Sequence, residues 1–249
     1  MTSHEDNVGP VLGIFAHPDD AEISCGGTLA KFASAGRDVH LLILTNGDRG
    51  SQDPGLDRAA LAATRASESA DAGRIMGLAG VTVLDTPDGE LENSAAIRAR
   101  VVREIRRVRP STVVSCDPTA WFFENAGTSL NAGAAGFYNH SDHRTAGVVA
   151  LDSVYPGSGN PHYFAEHLAE GLEAWDVYDV WLGWTREPNH FEDVTGFVDV
   201  KVEALLAHAS QVQGDGIRFF QEWLPKEAEA AGRRISVQHA EGFRVLDLS

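Results

Sequence analysis

Short apolar segments that alternate with helix-like segments are the feature that most constrains how this chain folds. Four apolar runs in the first half have the length of buried strands: Val11–Ala16, Val39–Thr45, Val81–Leu84 and Thr112–Cys116. Strands that alternate with helices predict βαβ units and a mostly parallel sheet covered on both faces. Right-handed crossovers then bring the carboxyl ends of the strands to one edge, where ligands bind in this architecture. We therefore expect an α/β fold with its ligand site at that edge.

The last third of the chain extends this pattern with weaker signals. Its strand candidates are Val177–Trp184, Phe197–Val200 and Phe243–Leu246, and its helix candidates are Lys201–Val212 and Ile217–Ala231. No internal repeat, low-complexity tract or clear linker separates this part from the rest. We predict a single domain over residues 1–249, with a flexible tail over about residues 1–9.

The strongly acidic composition argues against some classes of partner. The formal net charge is −16 at pH 7, and a surface this acidic repels the phosphates of nucleic acids and anionic membranes. No stretch has the about 18 consecutive apolar residues of a membrane helix, so we expect no membrane span. The two cysteines, Cys25 and Cys116, form no CxxC pair, which favours a reducing cytoplasm. The expected partner is a small molecule.

The segment His17–Asp20 places three charged or titratable side chains directly after the first apolar run. Two adjacent carboxylates repel each other unless a cation or a diverging geometry separates them. His17 and one of the two aspartates offer nitrogen and oxygen ligands that suit zinc, and the other aspartate would be free to accept a proton. An Asp-rich turn that caps the next helix is the alternative interpretation.

A second polar cluster, His140–His143, contains two histidines and a carboxylate within four residues. Its histidines face the same way if the segment begins a helix, and exposed histidines at an ordinary helix N-terminus are the alternative. A catalytic zinc takes three protein ligands and leaves one position for water. His17, one aspartate of the first segment and one histidine of the second complete that set. Together, the two clusters predict hydrolysis of an amide by metal-activated water.

These motifs resemble those of the PIG-L/LmbE family of zinc-dependent N-deacetylases. The resemblance rests mainly on three segments, His17–Asp20, Cys25–Thr28 and His140–Arg144, and it extends over about residues 10–213. It implies a Rossmann-like sheet and a hydrolase of linear amides. The expected reaction removes an N-acyl group, above all N-acetyl, from an amino sugar or glycoconjugate.

The resemblance also implies which residues bind the metal. His17, Asp20 and His143 match the zinc ligands of the family, and Asp19 matches the general base. Nitrogen and oxygen ligands also suit Fe²⁺, so these residue types leave the identity of the divalent ion open.

Further roles follow from the same resemblance. His140 is expected to act as general acid or oxyanion stabiliser, and Asp142 to orient it and keep it cationic. Tyr138 resembles a tyrosine that helps to bind the carbonyl oxygen in some members. Arg65 and Asp88 match positions that bind sugar hydroxyls.

A long loop rich in aromatic residues, 118–139, leaves the substrate open. The second hypothesis is an amidase that cleaves a thiol conjugate or another bulky amide, with the loop accommodating the larger group. The third is a non-catalytic α/β module that only binds a metal or ligand. The surplus Asp19 and His140 argue against that module, because a purely structural site does not need them. The sugar, the acyl chain and the oligomeric state, a homo-oligomer included, stay open.

Overall fold

The fold is built around one central sheet. The computed structural model describes residues 9–124 and 136–249. Seven strands form the sheet in the order β3-β2-β1-β4-β7-β9-β8; they are β1 Val11–Phe15, β2 Val39–Thr45, β3 Gly80–Thr86, β4 Thr112–Cys116, β7 Asp179–Gly183, β8 His190–Asp193 and β9 Ala240–Asp247. Among these strands β9 runs in the direction opposite to that of the other six. The prediction of an α/β fold with a mostly parallel sheet is confirmed.

Helices cover both faces of the sheet, as predicted. They are α1 Asp20–Ser34, α2 Arg58–Met76, α3 Ala95–Val108, α4 Ser141–Asp152, α5 Glu166–Ala169, α6 Val198–Leu206 and α7 Asp215–Gly232. Alternate residues of β1 bury on opposite faces: Leu12 and Ile14 share a core with α3 and α4, whereas Val11 and Phe15 share one with α1. No helix in the described ranges has the length and apolar character needed to cross a bilayer.

The prediction of a strand at Phe197–Val200 is wrong. The structure begins α6 at Val198, and the buried residues of this helix are Val198, Lys201, Ala204 and Leu205. That spacing is helical, and α6 packs against both α1 and α2. The apolar, β-branched composition favours a strand locally, but packing against two helices overrides this preference. The strand β8 was not predicted.

The loop rich in aromatic residues begins and ends as a two-stranded ribbon. Its strands, β5 Phe122–Glu124 and β6 Gly136–Tyr138, pair in antiparallel fashion. The part of this loop between the two strands, residues 125–135, lies outside the described residues. Residues 1–8 of the predicted flexible tail do so as well. Trp121 and Phe122 are largely exposed beside the ribbon.

Gly147 lets α4 approach the end of β4 closely. A Cβ atom at position 147 would lie 2.3 Å from the carbonyl oxygen of Cys116 and 2.9 Å from Cδ of Pro118. The same helix carries His143 in its first turn. The small residue therefore helps to set how close that histidine lies to the sheet edge.

We expect Gly147→Ala to lower the free energy of unfolding by about 1 to 3 kcal/mol, because the added carbon is forced against backbone atoms. Denaturant unfolding measures the change. Gly216→Ala in α7 is the matched control, since a Cβ there meets nothing within 4 Å and alanine is the better helix former. Equal effects of the two substitutions would contradict the close-packing argument.

Candidate active site

The two polar clusters of the sequence meet at the carboxyl edge of the sheet. His17 lies just beyond the end of β1, and His140 is the residue directly before α4. The ring centroids of His17 and His140 are 4.7 Å apart, and those of His17 and His143 are 5.1 Å apart. Side chains 126 positions apart in the chain, His17 and His143, therefore belong to one site.

Three side chains present ligand atoms to one point. Nδ1 of His17 lies 3.2 Å from Nε2 of His143 and 3.5 Å from Oδ2 of Asp20. Nε2 of His143 lies 3.1 Å from Oδ1 of Asp20. The ligand atoms of a tetrahedral zinc, with bonds of about 2.0 to 2.1 Å, are about 3.3 Å apart. The two oxygens of Asp20 face one histidine each, and the separations are compatible with one divalent ion. Two other groups of ligand atoms also lie close enough together to hold a metal: those of His17, His140 and His143, and those of His17, Asp88 and Asp142.

Polar contacts at the outer nitrogens, Nε2 of His17 and Nδ1 of His143, orient the two imidazole rings. Nδ1 of His143 is 2.9 Å from Oδ1 of Asn139, whose amide nitrogen donates to a backbone carbonyl. Nε2 of His17 is 3.1 Å from Oδ1 of Asp88 and 3.3 Å from Oδ2 of Asp142. Each of these oxygens can accept a hydrogen bond from the outer nitrogen of its ring, which leaves the inner nitrogen of a neutral imidazole free to bind a cation. Burial opposes the charge on His17, but the neighbouring carboxylates outweigh it and raise the pKa of His17 well above its usual value, so a metal ion would replace a proton there.

Asp19 is held apart from Asp20 by an unusual backbone conformation. Its φ of 101° lies in the left-handed region, which non-glycine residues rarely adopt. The guanidinium of Arg65 donates to the carbonyl oxygen of Pro18 at 2.6 Å, to that of Gly47 at 3.0 Å and to Oδ2 of Asp19 at 3.2 Å. The two neighbouring carboxylates therefore point in different directions, one toward the donor set and the other toward Arg65.

The environments of the two aspartates push their pKa values apart. Burial raises the pKa of Asp19 to about 6, although Arg65 acts in the opposite direction. Burial also opposes the charge on Asp20, but the adjacent His143 and His17 outweigh it and hold its pKa well below the usual value. Asp20 therefore stays an anion suited to a cation, whereas Asp19 is poised to exchange a proton near neutral pH.

Asp142 has a different partner from the one that the resemblance implied. Its Oδ2 lies 3.3 Å from Nε2 of His17 and accepts the backbone N–H of Gly89 at 2.7 Å. Its contact with His140 is a backbone N–H that donates to Nδ1 at 3.2 Å. Burial lowers the pKa of His140, as do the nearby His17 and His143, and the charge of Asp142 does not reverse this. The geometry thus assigns the Asp142 carboxylate to orienting His17.

Of the three remaining residues expected to contact the substrate, two lie in the site and one does not. Asp88 lies in the site, with Oδ1 on His17 and Oδ2 4.0 Å from Nη1 of Arg65. Arg65 itself is only 3% exposed. Tyr138 is 57% exposed, its hydroxyl accepts from Arg144 at 3.2 Å, and it does not line the cavity that contains the donor set. The structure therefore brings Asp88 and Arg65 to the site and does not bring Tyr138.

Sequence reasoning missed two residues that support the site. Asn139, 1% exposed, holds His143, and Asp48 accepts the backbone N–H of Asp88 at 3.0 Å. The position of Asn139 directly before His140 was an available signal, because an outer hydrogen-bond acceptor normally fixes a metal-binding histidine. Asp48 carried no such signal, since its contact depends on how two separate loops fold together.

One cavity of ≈ 820 Å³ contains the site. Its lining includes the donor set, together with Asp19 and His140. Cavities of about 300 to 1,000 Å³ suit small-molecule ligands. The donor set is therefore open to a substrate and is not a closed structural metal site.

We expect Arg65→Lys to lower kcat by about 10- to 100-fold with little change in KM, because a single ammonium cannot hold Asp19 and two carbonyls together. Steady-state kinetics and metal analysis check this. Arg74→Lys is the matched control, since Arg74 lies on the same helix and pairs at the surface with Asp71. A higher KM with unchanged kcat would contradict it and would instead support direct binding of the substrate by Arg65.

A mostly parallel α/β sheet with an open His-His-Asp donor set at its carboxyl edge defines a metal-binding α/β protein of the hydrolase type. The sequence model of the PIG-L family, described as GlcNAc-PI de-N-acetylase, matches residues 12–154. The chain belongs to this family, as its motifs predicted.

Individual relatives extend the match over nearly the whole chain. Diacetylchitobiose deacetylase of Thermococcus kodakarensis is 31% identical over 97% of this chain and 84% of its own length. The 1D-myo-inositol 2-acetamido-2-deoxy-alpha-D-glucopyranoside deacetylase of Rhodococcus opacus is 30% identical over 81% of each chain. Among solved structures, N,N'-diacetylchitobiose deacetylase from Pyrococcus horikoshii, in complex with its inhibitor MPG, has a TM-score of 0.84 and 30% identity, covering 98% of this chain and 85% of that one.

Proposed function

We propose that this protein is a zinc-dependent hydrolase that removes the N-acetyl group from a small amino sugar or glycoconjugate. The observation that carries the proposal is the convergence of His17, Asp20 and His143, with a separate carboxylate, Asp19, in the same cavity. The two relatives named above are deacetylases whose names specify 2-acetamido or N-acetyl sugars. Family membership and site chemistry therefore support the same reaction.

The donor set supports zinc in particular. Two imidazole nitrogens and one carboxylate are a common ligand set of catalytic zinc, and the fourth position stays open for water. The surrounding acceptors on Asn139, Asp88 and Asp142 fix both rings, which raises their quality as ligands. When bound, the ion would supply Lewis-acid activation of the water and of the amide carbonyl.

In this proposal Asp19 accepts a proton from the attacking water as the new C–O bond forms at the amide carbon. Arg65 fixes the position of that carboxylate, so little reorganisation is needed at the moment of attack. His140 lines the same cavity and would donate a hydrogen bond to the developing oxyanion. The C–N bond then breaks, and the amine nitrogen takes the proton that Asp19 accepted.

We also propose a cytoplasmic location. Cys25 and Cys116 are both free and buried, which suits a compartment that keeps thiols reduced. The acidic net charge of −16 favours an uncharged or cationic substrate over a polyanion.

The deciding experiment offers the purified protein a panel of amides and measures the amine released. The panel contains N-acetylglucosamine, N,N'-diacetylchitobiose, an N-acetylglucosaminyl inositol and a thiol conjugate with a bulky amide, each with and without a chelator. We expect chelator-sensitive release of amine and acetate from at least one N-acetyl sugar, restored by Zn²⁺.

Other results would select the other hypotheses. Cleavage of the thiol conjugate alone would identify a conjugate amidase. Stoichiometric metal binding without turnover of any amide would support the non-catalytic module. Full activity in metal-free protein would refute the proposed role of the ion.

A further inference from the structure

The cavity continues well beyond the residues that the proposed reaction uses. On one side of His17 it is lined by Arg49, Arg65 and Asp88. On the other side lies a second region, here named the α7 arm, lined by Pro188, Phe219, Phe220, Trp223, Ala231 and Gly242. Both regions belong to the same volume of ≈ 820 Å³. A single N-acetylated sugar ring fills only part of such a space.

The strand order separates these two regions. β2 and β3, whose loops supply Arg49 and Asp88, lie on one side of β1, whereas β9 lies three strands away on the other side. Strands are about 4.8 Å apart, so β9 is about 14 Å from the strand that carries His17. The helix α7 packs on β9 and β8. The hydrolytic centre therefore lies between a polar half of the cavity and the α7 arm.

The α7 arm carries a cluster of aromatic rings, and the charged residues that line the cavity nearby are Lys201 and Glu241, which pair with each other, and Glu227. Phe219 and Trp223 stack with their planes 12° apart and their centroids at 5.8 Å, and Phe220 meets Trp223 edge-on at 6.1 Å. All three rings are partly buried and line the cavity. The indole Nε1 of Trp223 is buried without a hydrogen-bond partner among the described residues. The ring carbons of Trp223 are therefore the part of this side chain that can face the cavity, and they are apolar.

We propose that the α7 arm is a subsite for an apolar group attached to the amino sugar, and that Trp223 determines which substrates use it. This inference rests on the proposed deacetylase function. The apolar group is either an N-acyl chain longer than acetyl or an aglycone on the sugar, because both can extend from a scissile amide held beside His17.

Three substrates test whether the apolar group is an N-acyl chain or an aglycone. They are N-acetylglucosamine, N-hexanoylglucosamine and the phenyl glycoside of N-acetylglucosamine. We expect the intact protein to prefer one of the two extended substrates over N-acetylglucosamine by at least about tenfold in kcat/KM. Preference for the hexanoyl compound identifies an acyl subsite, and preference for the phenyl glycoside identifies an aglycone subsite.

Two variants test the arm itself, one by removing apolar surface and one by filling space. Trp223→Ala and Ala231→Phe should each remove most of the preference for the extended substrate, whereas Ala230→Phe should change neither the preference nor kcat/KM for N-acetylglucosamine. Ala230→Phe is the matched control, because Ala230 is exposed on the same helix and does not line the cavity. Thermal unfolding of each variant identifies any loss caused by misfolding, and Trp223→Phe, which keeps an aromatic ring, serves if Trp223→Ala fails to fold.

The possible results separate failure of the α7 arm as a subsite from failure of the proposed deacetylase function. Turnover of N-acetylglucosamine with no gain from either extension overturns the α7 arm as a subsite and leaves the deacetylase proposal intact. A preference that survives both arm variants also overturns it. Absence of turnover on all three substrates, with the metal bound, overturns both proposals.

Discussion

Asp19→Asn will leave the metal bound and lower kcat by about 10²- to 10⁴-fold, the contribution expected of a general base. The amide of asparagine keeps the size of the side chain and its contact with Arg65, but it cannot accept the proton of the attacking water. The Asp19 carboxylate is hydrogen-bonded to Arg65, whereas the ligand atoms of Asp20 and the two histidines contact one another, so those atoms should keep their positions. Steady-state kinetics and metal analysis on the same preparation measure both effects.

Two further substitutions serve as controls for this result. Asp20→Asn should lose the metal together with activity, because it removes a ligand charge. Asp117→Asn should do neither: Asp117 is buried just after β4, where it accepts from Thr119 and Thr185, and it does not itself line the cavity. Turnover by Asp19→Asn at the rate of the intact protein would remove Asp19 from the mechanism.

His143→Ala is the second substitution with a large expected effect. It removes one of three ligands, so we expect metal affinity to fall by more than the about 10- to 100-fold typical of outer-shell changes, and hydrolysis to fall with it. Titration of metal-free protein with Zn²⁺, followed by amine release at each point, measures affinity and activity together. Excess metal should restore little turnover, because the ligand geometry stays incomplete.

Asn139→Ala should weaken metal binding less than His143→Ala does. Asn139 touches the outer nitrogen of His143 and supplies no ligand atom to the donor set, so about 10- to 100-fold weaker binding is expected, with activity recovered at high metal concentration. His162→Ala, at an exposed position, should leave the titration unchanged. If His143→Ala bound the metal as tightly as the intact protein, His143 would not be a ligand.

The sequence was sufficient to predict those features that depend on short segments. Apolar runs flanked by polar turns revealed the parallel strands β1, β2 and β4. The rule that their carboxyl ends share an edge then placed His17 near the second histidine cluster. The divergence of Asp19 and Asp20 also followed from local repulsion between adjacent carboxylates.

Features that depend on distant contacts were not predictable in this way. The Asp142 carboxylate turns to His17 instead of His140, because the backbone N–H of Gly89, on another loop, helps to fix it. Arg65 is enclosed by carbonyls from two loops, which no spacing along the chain indicates. The helix α6 forms where the local residues favour a strand, since its partners are α1 and α2.

The position of β9 has a consequence for the order in which the molecule is assembled. β9, formed by residues 240–247, lies between β7 and β8, and β8 pairs with it along its whole length. A chain emerging from the ribosome can therefore join β1 to β4 early, whereas β8 waits for β9, its sheet partner among the described strands. The part of the cavity that β9 lines, at Gly242, therefore forms later than the hydrolytic centre.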